Sequence, residues 1–197
     1  MKTNKASKKN VRDWTHNREM WVRVLKTKTG KGLGHWNALI KKQKFADARS
    51  LKAWLSQQGV TGYGAQLLVM ERFGYPDFVS ASADSLIDAQ YADRAQLRPI
   101  FDAIVSATRD LGEVVIQVRK GFVSLLTPRR TFARVQPTTR NRVDLGLRLD
   151  GMKPEGRLQP SRIHDTMKLQ ISFTKPEEVD KEALGWLRKA YDQNSDT

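Results

Sequence analysis

Between residues 142 and 149, Val143, Leu145, Leu147 and Leu149 alternate with Arg142, Asp144, Gly146 and Arg148. Residues 167–174 repeat the pattern, with Met167, Leu169, Ile171 and Phe173 against Lys168, Gln170, Ser172 and Thr174. A side-chain period of two belongs to a strand with one buried face. Weaker strand signals precede them at 114–117, 122–126 and 131–136. Successive strands on short connections predict an antiparallel sheet with one apolar face, which helices must cover.

The helices are written on both sides of that sheet. Upstream, Val11, Trp14, Trp21, Val22 and Leu25 form an apolar stripe interrupted by Arg18. A helix over 33–44 places Trp36, Leu39 and Ile40 on one face. The next, 50–58, is capped by Asp47 or Ser50 and stopped by Gly59. Another runs 61–73, and Gly74 and Pro76 break the pattern after it. Ser82 caps a short helix with Leu86 and Ile87, and a longer one begins near Leu97 and ends at Gly112. A C-terminal helix covers 177–192. The expected fold class is α+β: a small N-terminal helical module, then an antiparallel sheet of four to five strands flanked by helices. The expected divisions are a disordered basic tail over 1–12, the helical module over 13–78 and the α+β domain over 79–197.

The net charge of +14 is unevenly placed. Thirteen Lys and Arg residues fall in the first 45 positions, against Asp13 and Glu19 alone. That balance favours polyanionic partners. Lys5, Lys8, Lys9 and Arg12 would neutralise phosphates without reading sequence. An ordinary solubilising tail explains the same residues equally well. A second basic group is Lys120, Arg129, Arg130, Arg134, Arg140, Arg142, Arg148 and Lys168. Alternation places Arg142 and Arg148 on the polar side, Arg129 and Arg130 in a turn, Arg140 in another, and Arg134 on a neighbouring strand. These residues form either an anion-binding sheet face or a solvated face with Asp144 beside Arg142.

Other chemistries find little support. The chain has no cysteine, which excludes disulfides and thiolate chemistry and is compatible with a reducing cytoplasm. His16, His35 and His164 are not at metal-ligand spacing, so no metal is expected. TGKGLG (29–34) has neither Walker nor dinucleotide-binding spacing and reads as a helix-initiating turn, and no cofactor is expected. His164, Asp165 and Glu155 lie in a loop with no nucleophile near them in sequence, so no catalytic residue is assigned. No apolar run approaches the ~20 residues of a membrane span. Trp36, Trp54 and Trp186 belong on apolar helix faces, while Trp14, among basic neighbours, is a candidate base-stacking residue.

The stretches KTKTGKGLGHWNALIKK and LKAWLSQQGVTGYGAQLLV resemble a bacterial helical domain of unknown function. GFVSLLTPRRTFARVQPTTRNRVDLGLRL and EEVDKEALGWLRKAYD resemble an uncharacterised α+β domain, sometimes labelled a predicted transport protein. Together the resemblances span nearly everything after residue 20. They imply the order of domains and carry over no catalytic residues. The leading expectation is a non-enzymatic cytoplasmic protein that associates with DNA or RNA through the basic N-terminal region and the basic patch of the α+β domain, with no membrane insertion. The alternative is a domain that binds a small anionic ligand or a protein partner.

Overall fold

The computed structural model describes residues 11–12 and 14–195. Lys5, Lys8 and Lys9, and the reading of 1–10 as a tail, lie outside the described residues. Contacts divide the chain into two compact units. One is Asp13–Ala81, and the other joins the residues up to Arg12 to Ser82–Thr197.

The first unit is helical: α1 (Trp14–Thr29), α2 (Leu33–Gln43), α3 (Ala48–Gln57), α4 (Gly62–Phe73) and the single turn α5 (Asp77–Ser80). Its core gathers Trp21, Leu25, Trp36, Ile40, Leu51, Leu55, Leu67 and Leu68, which are all buried. Each fully buried large apolar side chain contributes about 1.5–3 kcal/mol by leaving water. Asp47 caps α3 by accepting from the Ser50 amide at 2.7 Å. The turn read from TGKGLG is built around Thr29. Its hydroxyl donates to the Leu25 carbonyl at 2.8 Å and accepts from the Trp36 indole at 3.1 Å and the Lys31 amide at 3.2 Å. Trp14 meets Trp21 edge-on at 4.8 Å and Tyr75 at 5.7 Å, and packs against this core. Its surroundings are therefore aromatic as well as basic.

The second unit contains α6 (Ala83–Tyr91), α7 (Arg98–Ala107) and α8 (Lys181–Ser195), with the strands β1 (Val11–Arg12), β2 (Val115–Val118), β3 (Val123–Leu126), β4 (Thr131–Thr139), β5 (Arg142–Leu147), β6 (Gln159–Pro160) and β7 (Leu169–Phe173). The strands form one sheet in the order β1-β2-β3-β4-β5-β7-β6. Seven strands replace the expected four to five. The two additions are the edge strands β1 and β6, each two residues long and too short to carry a period. β1 is parallel to β2, and the other pairings are antiparallel. Val11 and Arg12, read above as tail and helix start, thus pair with Ile116 and Gln117. α1 correspondingly starts at Trp14.

The register sorts the sheet into two faces. Val123, Val135, Leu145 and Ile171 are successive cross-strand partners, as are Leu125, Ala133, Leu147 and Leu169. All are buried, as are Ile100, Phe101 and Ile104 of α7 and Ala183, Leu187 and Ala190 of α8. The opposite face carries a transverse row of partners: Arg12, Gln117, Ser124, Arg134, Gly146, Gln170 and Gln159. Gly146 is where the 161–167 loop comes down on this face. A Cβ there would stand 2.6 Å from Ile163 Cδ1 and 3.0 Å from Met167 Cβ. Gly146→Ala should therefore lower stability by about 1–3 kcal/mol through overpacking. Urea unfolding measures this, and an unshifted midpoint would mean that the loop yields at no cost.

Candidate anion site on the polar sheet face

Asp144 follows Arg142 on the polar side of β5, as alternation requires, yet its side chain is 0% exposed. Its Oδ1 accepts the Ser172 hydroxyl at 2.6 Å. Arg142 Nε lies 3.1 Å from the same oxygen, but its N–H is not aimed there, so the contact is an ion pair without a hydrogen bond. Oδ2 makes no hydrogen bond. Directly across on β4 stands Gln136, whose Oε1 is also buried and unbonded. Gln170 continues the network, accepting from the Arg162 amide at 2.9 Å.

Arg134 has no ion-pair partner among the described residues. Its guanidinium lies over the Phe122 ring at 3.4 Å and leaves a buried Nε without a hydrogen-bond partner. Burial pulls its pKa below the ordinary arginine value, although a guanidinium stays charged at any physiological pH. Partial burial of a charge with no counterion is unfavourable, and such a site favours an anion.

The remaining expected site residues do not join this cluster. Register places Lys120 and Arg140 in the turns at one end of the sheet, and Arg129, Arg130 and Arg148 at the other. Arg130 pairs with Asp150 at 3.7 Å. Arg148 makes no ion pair among the described residues, and its pKa is lowered by burial and by the charge of Arg130, with Asp150 opposing. The β5–β7 pairing ends at Leu147 opposite Leu169, and Arg148 and Lys168 lie just beyond it. Lys168 is exposed and lines a hollow of ≈ 530 Å³ together with Arg162, Ile163, His164 and Asp165. Arg12 is exposed on the edge strand β1.

Residues 87–194 match the family described as a domain of unknown function (DUF5655). The chain belongs to this family. The DUF5655 match begins within α6 and ends within α8, so it takes in β2 to β7 and the whole polar face except Arg12. No curated protein and no solved structure matches the chain. Among the described residues there is no group of side chains arranged to hold a metal ion, and no helix is long and apolar enough to cross a membrane.

Asp144, Gln136 and Phe122 were not singled out from the sequence. Asp144 was legible only as Arg142's neighbour, because alternation labels a side of the sheet without saying how deeply each residue on it is covered.

Outside the DUF5655 region, the helical unit holds the densest exposed charge. Lys26, Lys28, Lys31, Lys41, Lys42, Lys44, Arg49 and Lys52 are all exposed, and none makes an ion pair among the described residues. These lysines entered the charge count but not the expected site. Lys26, Lys28, Lys41 and Lys42 lie in the last turns of α1 and α2, where they also complement the helix dipole. By contrast, Arg18 is satisfied. It pairs with Glu71 at 2.6 Å and donates to the Tyr75 hydroxyl at 3.2 Å, and Tyr75 in turn donates to Glu71.

Glu71 gives a pH dependence with a definite sign. Burial raises its pKa, but the Tyr75 hydroxyl and the Arg18 guanidinium outweigh that, so the net shift is below the ordinary 4.5. A carboxylate depressed in the folded state stabilises above its unfolded pKa, and that contribution disappears as pH falls through the folded value. Thermal melts taken down through the carboxylate range should show acid destabilisation that is smaller in Glu71→Gln. Parallel curves for the two proteins would contradict this assignment.

Proposed function

We propose that the protein binds nucleic acid, with the exposed lysines of the helical unit supplying most of the phosphate attraction. The observation that carries this reading is the run of eight exposed Lys and Arg residues from Lys26 to Lys52 that make no ion pair among the described residues. Cations free of carboxylate partners neutralise phosphates without first breaking an ion pair, and they release condensed counterions as they do so. Residues 14–81 hold eleven Lys and Arg against four carboxylates, of which Glu71 is committed to Arg18 and Asp47 to the α3 cap. The sheet domain adds Arg134, Arg140, Arg148 and Lys168, which also lack ion-pair partners among the described residues. Fluorescence anisotropy with a labelled duplex and a labelled single strand tests the reading. Binding to both is expected at low salt, and no binding at micromolar protein would contradict it.

A second reading rests on Arg134. A desolvated guanidinium stacked on Phe122 with no counterion is suited to a small anionic ligand held by the sheet domain alone. A thermal-shift screen of anionic metabolites tests this, and the absence of any stabilising compound would count against it.

A further inference from the structure

Four groups on adjoining strands of the polar face lack hydrogen-bond partners among the described residues. Asp144 Oδ2 and Gln136 Oε1 are acceptors on directly opposed residues, while Arg134 Nε is a donor two residues from Gln136 and Arg142 Nε a donor two residues from Asp144. Opposed residues hold their Cβ atoms about 4.5–5.5 Å apart, so the two side chains stand side by side. Buried polar groups are ordinarily satisfied, and a cluster of exceptions calls for a missing partner. That partner must offer two adjacent donors, and it must tolerate Arg134 and Arg142 beside it. A divalent cation fails the second condition, since a single carboxylate is flanked by two guanidinium groups.

We propose that this face binds one guanine base, presented by a guanine nucleotide or by an unpaired strand. Guanine sets its N1–H beside its 2-amino group, and this edge complements two neighbouring acceptors. Uracil and thymine offer one ring N–H between two carbonyls. Adenine and cytosine offer one amine beside an acceptor nitrogen, which would face Asp144 or Gln136 unfavourably. Asp144 Oδ2 and Gln136 Oε1 receive the two guanine donors, while the flat guanidinium of Arg134, backed by Phe122 at 3.4 Å, gives the base a stacking platform. Arg142 controls access. Its side chain is 42% exposed, and its Nε–H is not aimed at the carboxylate beneath it, so it is placed to turn outward toward the phosphate and uncover Asp144. The unpaired-strand source rests on the nucleic-acid reading above; the free-nucleotide source does not.

The test uses the full chain with two probes: labelled oligothymidine with and without one central guanine, and GMP against UMP by calorimetry, with AMP and CMP titrated alongside. At least one probe should show a preference for guanine of about tenfold, the discrimination expected of a paired hydrogen-bond contact. Asp144→Asn should abolish that preference. Gln136→Leu, at a half-exposed position, should do the same without depending on how the buried substitution folds. Neither variant should change the salt dependence of duplex binding, which belongs to the helical unit. A preference confined to GMP, with no strand binding at any salt, supports the base site while overturning the nucleic-acid function. Equal affinity for both members of each pair, stronger binding of AMP or CMP than of GMP, or a guanine preference that survives both substitutions would overturn the proposal.

Discussion

A protein carrying glutamate in place of Lys26, Lys28, Lys31, Lys41, Lys42 and Lys44 should lose about a thousandfold in affinity for duplex DNA at low salt. Each phosphate contact contributes about 0.9 to the slope of log affinity against log salt. Losing even half of these six contacts therefore flattens the slope by roughly three, and the introduced carboxylates add repulsion. Four of the lysines also complement the ends of α1 and α2, at about 0.3–1 kcal/mol each. A parallel Lys→Gln set separates this effect, because it removes charge without introducing repulsion. The glutamine protein should remain folded by circular dichroism and still bind far more weakly than the unaltered protein. Retained affinity in a folded glutamine variant would mean that the helical unit is not the phosphate surface.

Phe132→Ala should cost about 3–5 kcal/mol, among the largest losses any single substitution in this chain can cause. Phe132 is 0% exposed and meets the Tyr191 ring of α8 edge-on at 5.4 Å. It sits at the irregularity where Leu125 pairs with Ala133 but Leu126 pairs with Thr131, so one extra residue of β4 is accommodated there. Truncation removes the ring from the junction of sheet and α8 and leaves a cavity that this junction cannot close without moving the helix. Its neighbourhood also holds Asn194, which donates to the Arg148 carbonyl at 2.9 Å, and Thr127, which donates to the Asn194 carbonyl at 2.8 Å. Chemical denaturation would measure the loss, and a cost below about 1 kcal/mol would contradict this account of α8 docking.

The parts of this fold that were legible are those where one face is buried and the other wet. Residues 33–44 announced α2 through Trp36 and Ile40, and the structure ends it at Gln43. The alternation of 142–149 and 167–174 marked the strands observed as β5 and β7, which are neighbours in the sheet. Legibility failed where no apolar period exists. β1 is Val-Arg and β6 is Gln-Pro, and their strand character comes from the neighbour each one pairs with. α1 runs on to Thr29 through Lys26, Thr27 and Lys28, which give no apolar signal. β4 was expected only over 131–136. It continues to Thr139 because the register shifts between Pro137 and Thr139, and Arg94 donates to the Pro137 carbonyl at 3.0 Å.

The site was legible by charge and not by depth. Arg142, Arg148 and Lys168 were placed on the polar side from their spacing, whereas Arg134 was read on the same side as Phe132 and Gln136; the register shift beside Phe132 turns that ring into the core and leaves Arg134 on the polar face. What distinguishes Arg134 from the others is its stack on Phe122, which depends on a tertiary neighbour. Asp144 is covered on the side of the sheet that alternation assigns to solvent, next to Gly146, where Ile163 comes into contact together with Met167, which alternation had read as inward-facing but which precedes β7 and meets the polar face.

The central claim is that unpaired lysines of the helical unit bind phosphates. The slope of log affinity against log salt, measured with the full chain on duplex DNA from low to physiological ionic strength, tests it most directly. The account predicts a steep negative slope of about −3 or beyond, corresponding to several displaced counterions, and little dependence on duplex sequence. A slope near zero, or no duplex binding at low salt, would contradict it.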